Sequence, residues 1–399
     1  MDINKLLQSM SLDEKIGELN QLTVEYYLNK TNTIVTGPEI EKRKNRIKNI
    51  GSILNFSGAN EMIEIQSEYI KNHKTPLLFM LDVIHGYKTI YPIPLAMSAT
   101  FNPSLLEKCC KMAAKEASVS GVHVTFAPMA DLSRDARWGR VMESNGEDPY
   151  LNKVMTAAQV KGYQQDFKNK YSIASCVKHF ASYGACESGK DYNSVDMGLH
   201  NLFEYYLQGY KAAIDEDVAM VMSSFNTLNG IPVSANQWLL KDVLKEKLGF
   251  NKIIISDYNA INEMINHKVA ENSKGCAYKS FDAGIDIDMM SLSYADNLKK
   301  LIKEGKIDIK SVDDAVYKIL KLKEQLGLFE NPFLNASSKK EKKYHLCNKH
   351  LDLAQKAAEE SMVLLKNNNV LPLNNCSSIS LIGPLSDKVM LGSWYCEGK

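Results

Sequence analysis

Short aliphatic runs alternate with stretches of helical period from the N-terminus to about residue 330. The runs at 19–23, 51–55, 77–81, 122–127, 173–177, 219–223, 253–256 and 284–289 read as strands. Most are apolar at successive positions, as in strands buried on both faces of a parallel sheet. Helix punctuation fills the intervals. Asn102-Pro103 supplies a cap and a proline at the first helical position. Leu105, Leu106, Cys109, Met112 and Ala113 then form an apolar face, and Gly121 closes the helix. A similar helix over 239–248 ends at Gly249-Phe250 and feeds the run before Asp257. Eight strands separated by helices predict an α/β fold, a (β/α)8 barrel spanning 1–330.

The pattern changes after that. Residues 331–350 are polar and lysine-rich and contain Pro332, the signature of a linker. An amphipathic helix over 351–365 and a strand over 379–383 follow before Lys399. Some 50 residues are too few for an ordinary domain, so 351–399 is expected to be the truncated start of an α/β sandwich.

Composition narrows the partners. The 48 Lys+Arg and 47 Asp+Glu leave a net charge of +1 over 399 residues, which gives no general attraction to nucleic acid or anionic lipid. The basic runs at 41–46 and 339–343 are read as solvated surface. The N-terminus lacks a charged segment followed by an apolar stretch, and no run is long enough to span a bilayer. Eight cysteines without a C-x-x-C pair suit reduced core thiols and a cytoplasmic setting.

Three of the strand runs end in charge. Residues 253–256 end at Asp257, 77–81 at Asp82, and 173–177 at Lys178-His179. In α/β barrels the chemistry sits at that end. Neighbouring strand residues face opposite ways, so Lys178 and His179 share a pocket only if the strand bends there. In the stretch Arg134-Asp135-Ala136-Arg137-Trp138-Gly139-Arg140, alternating signs satisfy Arg134 and Arg137 as ion pairs, which leaves Arg140 to reach a ligand. A rigid carboxylate such as Asp82 suits bidentate bonds to vicinal hydroxyls. Asp, Arg, Lys, His and aromatics together suit a neutral sugar. A desolvated Lys178 could instead form a Schiff base. Neither a phosphate loop nor an H-E-x-x-H helix is present, so no metal or cofactor is expected.

Taken together, Arg134 to Pro149, Lys178-His179-Phe180, Val221 to Asn226 and Ser256-Asp257-Tyr258 resemble glycoside hydrolase family 3, its bacterial β-glucosidases above all. Residues 357–367 resemble that family's entry into its second domain. The resemblance implies a retaining exo-β-glycosidase acting on a small β-glucoside or oligosaccharide, with Asp257 as nucleophile. Asp82, Arg140, Lys178 and His179 would bind the sugar hydroxyls, and Met222 would line the pocket. Arg140 and Lys178 are expected to lower the pKa of Asp257. The loop 182–192 carries no histidine, unlike the branch that cleaves N-acetylglucosaminides. The acid/base often comes from the second domain, making a separate C-terminal domain a candidate partner. Glu263 is the in-chain alternative, against its reading as an ordinary helix glutamate. A β-xylosidase on the same scaffold, or a non-catalytic sugar-binding remnant, are the rival readings.

Overall fold

The computed structural model describes residues 1–28, 47–56, 58–374, 376–394 and 398–399; the basic run at 41–46 lies outside them. Eight short parallel strands form the core. They are β1 (Asn20–Thr23), β2 (Ser52–Leu54), β3 (Leu78–Leu81), β4 (Val124–Thr125), β5 (Ala174–Phe180), β6 (Met220–Ser223), β7 (Ile253–Ile255) and β8 (Asp288–Met289). Each lies within or beside one of the runs expected from the pattern. Their order is sequential, with β8 paired to β1. An isolated parallel bridge from Ile255 to Ile287 brings the two ends together, and Ser256 N–H donates to the Ile287 carbonyl at 2.9 Å. Every residue of these eight strands is buried, which is why the runs read as apolar rather than alternating.

The connecting helices follow the punctuation. The helix Pro103–Val119 begins under the Asn102 side chain, which accepts from Leu105 N–H at 3.1 Å. It ends before Gly121, at φ +96°, where a Cβ would stand 2.7 Å from Met62 Cγ. Both the left-handed backbone and the close packing require glycine there. At the opposite end of the barrel from the strand-end charges, helix Ile309–Gln325 returns Lys323 to Glu18. That pair is fully buried at 2.6 Å. It ties the last barrel helix to the helix Leu12–Glu18, which leads into β1.

Residues 331–350 are structured. They carry the helix Ser338–Tyr344, whose Glu341 carboxylate accepts from Ala59 N–H at 3.0 Å and Ser120 Oγ–H at 2.6 Å. The helix expected over 351–365 runs from Asn348 to Glu360, docked through His350. The strand expected over 379–383 does not form. Ile379, Leu381 and Ile382 are 73%, 76% and 90% exposed, and no described strand lies beside them to complete a ladder. The chain then comes back to the barrel. Lys399 exchanges backbone hydrogen bonds with Lys88 and Ile90 at 2.8 and 3.0 Å. His85 Nε2 lies 2.7 Å from the Ser393 carbonyl, a contact that seats Trp394 over the strand ends.

Candidate active site

The C-terminal ends of β2, β3, β5, β6, β7 and β8 surround a cavity of about 320 Å³. Its lining includes Asp82, Arg140, Lys178, His179, Met222 and Asp257, all six of the residues other than Glu263 that sequence reasoning nominated. Glu263 is placed elsewhere. It opens the short helix Glu263–Asn266, accepts from Asn266 Nδ2 at 2.9 Å, and is not among the lining residues.

Lys178 and His179 share the cavity because the β5–β6 register shifts between Val177 and Phe180, breaking the two-residue alternation. Lys178 Nζ bonds Asp82 at 2.7 Å, with both side chains largely buried. Arg140 bonds Glu143 through two parallel contacts, Nε to Oε1 at 2.8 Å and Nη2 to Oε2 at 3.0 Å. The neighbouring arginines go elsewhere. Arg137 pairs with Asp135 in solvent, as alternating signs suggest, whereas Arg134 lies over the Tyr205 ring at 4.2 Å and makes no ion pair among the described residues.

Both cavity cations are thus committed to carboxylates other than Asp257. Asp257 Oδ1 accepts from Tyr258 N–H at 2.6 Å. Its Oδ2 is buried, faces His179 Nε2 at 3.5 Å and makes no hydrogen bond among the described residues. The pKa expectation for this residue is overturned. Burial raises Asp257 to about 6, and Arg140, Lys178 and the Tyr258 N–H offset only part of that cost. Both cations already serve other carboxylates, so their pull on Asp257 is diluted. Of the other carboxyls on the cavity, Asp82 and Glu143 accept from these cations and Asp191 accepts from Trp138 Nε1 at 3.0 Å.

Several lining or supporting residues escaped sequence reasoning. Asp131 lies fully buried behind His179, its Oδ2 accepting from His179 N–H at 2.9 Å and Nδ1 at 2.7 Å. It follows the fourth strand run, so the rule that found Asp82 could have found it. Glu143 was visible as an acid near arginines but had no assigned role. Aromatic walls come from Tyr192, whose ring lies 4.5 Å from Phe225, and from Trp394, which Lys178 Nζ approaches to 5.1 Å. Trp394 stands more than 300 residues downstream of Asp82, in a segment without strand or helix pattern, and no local signal marks it.

The fold and site define an α/β barrel with a polar, cation-ringed carboxylate at its C-terminal face, the layout of barrel enzymes. The description "Glycosyl hydrolase family 3 N terminal domain" matches residues 11–322. The chain belongs to glycoside hydrolase family 3. A periplasmic β-glucosidase of Salmonella typhimurium is 37% identical over 99% of the chain and 52% of that protein. A β-xylosidase of Formosa agariphila is 34% identical over 95% of the chain and 50% of its own length. The structure of a β-glucosidase from Listeria innocua in complex with glucose superposes with a TM-score of 0.94, at 43% identity over the whole chain and 56% of that protein. The chain spans about half the length of the relatives it matches.

Proposed function

We propose that the chain carries the sugar-binding and nucleophilic part of a retaining β-glucosidase, with Asp257 as nucleophile. The single observation that supports this most is the buried Asp257 Oδ2, which makes no hydrogen bond among the described residues while the other carboxyls of the cavity accept from Lys178, Arg140 or Trp138. Asp82 and Lys178 form one hydroxyl-binding couple, and Arg140 forms the other with Glu143. Their carboxylate and N–H groups suit a ring of sugar hydroxyls, which donate and accept in turn. Attack by Asp257 on the anomeric carbon would form a glycosyl ester and release the aglycone; water would then cleave the ester. No carboxyl on the cavity is assigned the proton-donor role, and Glu263 is kept as the first residue to mutate for it. Schiff-base chemistry at Lys178 is disfavoured, because its Nζ is engaged by the Asp82 carboxylate at 2.7 Å rather than free to attack a carbonyl.

A β-xylosidase is the second reading, favoured by the β-xylosidase relatives, that of Formosa agariphila among them. The ligand complex of the Listeria innocua protein favours glucose. Cytoplasmic placement rests only on thiols that are unpaired among the described cysteines. The Salmonella typhimurium relative is named as periplasmic, and no described helix is long and apolar enough to cross a membrane.

Calorimetry tests the binding half. Asp82→Ala, Arg140→Ala and Lys178→Ala each remove a charge-assisted bond worth about 1.5–3 kcal/mol, roughly 10- to 150-fold in glucose affinity. Asp257→Asn should retain much of the binding. Unchanged affinity in all three alanine variants would contradict the pocket.

A further inference from the structure

We propose that Asp131 is a positioning residue that fixes His179 as the Nδ1–H tautomer, so that Nε2 faces Asp257 as a bare acceptor. The proposal rests on Asp257 as nucleophile and concerns what stands beside it. The geometry carries it. Asp131 touches neither the cavity nor any cation, yet donors converge on it from two elements. His179 contributes its backbone N–H at 2.9 Å and Nδ1 at 2.7 Å, both to Oδ2. Tyr210, on helix Gln208–Asp215, places its hydroxyl 2.7 Å from Oδ1 and 2.6 Å from the His179 carbonyl. Burial pushes Asp131 up to about 7, against which the Tyr210 hydroxyl and the His179 backbone N–H favour its carboxylate; with the carboxyl ionised, the proton between Oδ2 and Nδ1 belongs to the ring.

Nε2 on the far side is then unprotonated. Burial and the nearby Arg140 and Lys178 charges hold His179 well below its ordinary pKa, so a second ring proton is disfavoured. The other groups around the ring are Tyr183, edge-on at 5.3 Å between centroids, and Asp257, 3.5 Å from Nε2. The consequence is chemical. An Nε2–H would donate to Asp257 Oδ2, stabilise its charge and blunt its attack on an anomeric carbon. A bare Nε2 leaves that oxygen uncapped and offers an acceptor to a sugar hydroxyl instead. Asp131 therefore acts on the nucleophile through the histidine, without touching either substrate or Asp257.

Long-range proton–nitrogen NMR of the histidine-¹⁵N-labelled full chain reads the tautomer directly, with His179→Gln identifying the signal. The wild type should show a protonated Nδ1 and a bare Nε2. Asp131→Asn should keep that state, because its carbonyl oxygen can accept both His179 donors. Asp131→Ala should switch the ring to Nε2–H, bonded to Asp257. Labelling by a 2-deoxy-2-fluoro glucoside should then slow about tenfold or more in the alanine variant and change little in the asparagine variant. A wild-type signal from Nε2–H overturns the proposal even if the alanine variant does not fold. So does an alanine variant that retains Nδ1–H. If the wild type shows the expected tautomer yet labels nowhere, the proposed nucleophile fails and the tautomer assignment stands.

Discussion

At the scale of single residues, Asp257 is a costly carboxyl on the cavity wall. Its carboxyl is buried and titrates at about 6, above its ordinary value, because two cations committed to other partners do not repay its desolvation. The sign follows from linkage. A carboxyl with a raised folded pKa favours its protonated form in the fold, so its ionisation destabilises the protein as pH rises from about 4 to about 6. Asp257→Asn should therefore raise the melting temperature at pH 7, by about 1–2 kcal/mol in stability, with the gain vanishing below pH 4. Thermal melts of both proteins across pH check this, and a gain over the wild type no larger at pH 7 than at pH 4 would contradict it. The same titration sets the acid limb of kcat/KM near pH 6, since only the carboxylate attacks. Asp82, Lys178, His179 and Asp257 were legible in sequence because each follows an apolar run at a strand end. The raised pKa was not, because it depends on which carboxylates the cations already serve.

At the scale of elements, Glu116 is where the segment after the barrel grips the loop after β3. It is fully buried on helix Pro103–Val119 and accepts from Lys88 N–H, Thr89 N–H and the Thr89 hydroxyl at 3.0, 2.8 and 2.7 Å. From the other side it accepts from Leu346 N–H at 3.1 Å and His350 Nδ1 at 2.7 Å. Burial works against its charge, yet the bonds from His350 and Thr89 outweigh it and hold the carboxyl below its usual range. A depressed folded pKa contributes stability above the unfolded value and loses it as pH falls through the folded one. Glu116→Ala should cost about 3 kcal/mol and loosen the Asp82–Tyr91 loop, and the wild type should lose stability on acidification below about pH 4.5. Denaturant melts of both proteins at pH 4 and pH 7 measure this; equal stability at pH 7 would refute it. The helices from 338 and 348 show why the polar stretch 331–350 resisted reading. Its anchors are two glutamates and a histidine meeting distant partners, a pattern that carries no hydrophobic period. Conversely, the apolar run at 379–383 reads as a strand, but strand character needs a neighbour, and the described residues supply none.

At the scale of the whole molecule, the barrel is the legible part, since eight strands buried on both faces leave continuous apolar runs. What closes the site was hidden. Trp394 is held there by contacts such as those of Lys399 with Lys88 and Ile90 and of Ser393 with His85, which no local pattern encodes. With the cavity carboxyls other than Asp257 occupied as acceptors, departure of the aglycone is the step with least help. Aryl glucosides with acidic leaving groups, seated against Tyr192 and Trp394, should therefore be cleaved far better than cellobiose by the 399-residue chain. Comparable kcat/KM on both would place an acid/base within the chain, and Glu263→Gln would be the first variant to assay.

The central claim is that Asp257 attacks the anomeric carbon. Incubation with a 2-deoxy-2-fluoro-β-glucoside bearing an activated leaving group, followed by peptide mass spectrometry, tests it most directly, since an activated aglycone needs little protonation. The expected result is one fluoroglucosyl group per chain, on the peptide containing Ser256-Asp257-Tyr258, absent in Asp257→Asn. A label on any other residue, or no label from a chain that binds glucose by calorimetry, would contradict the assignment.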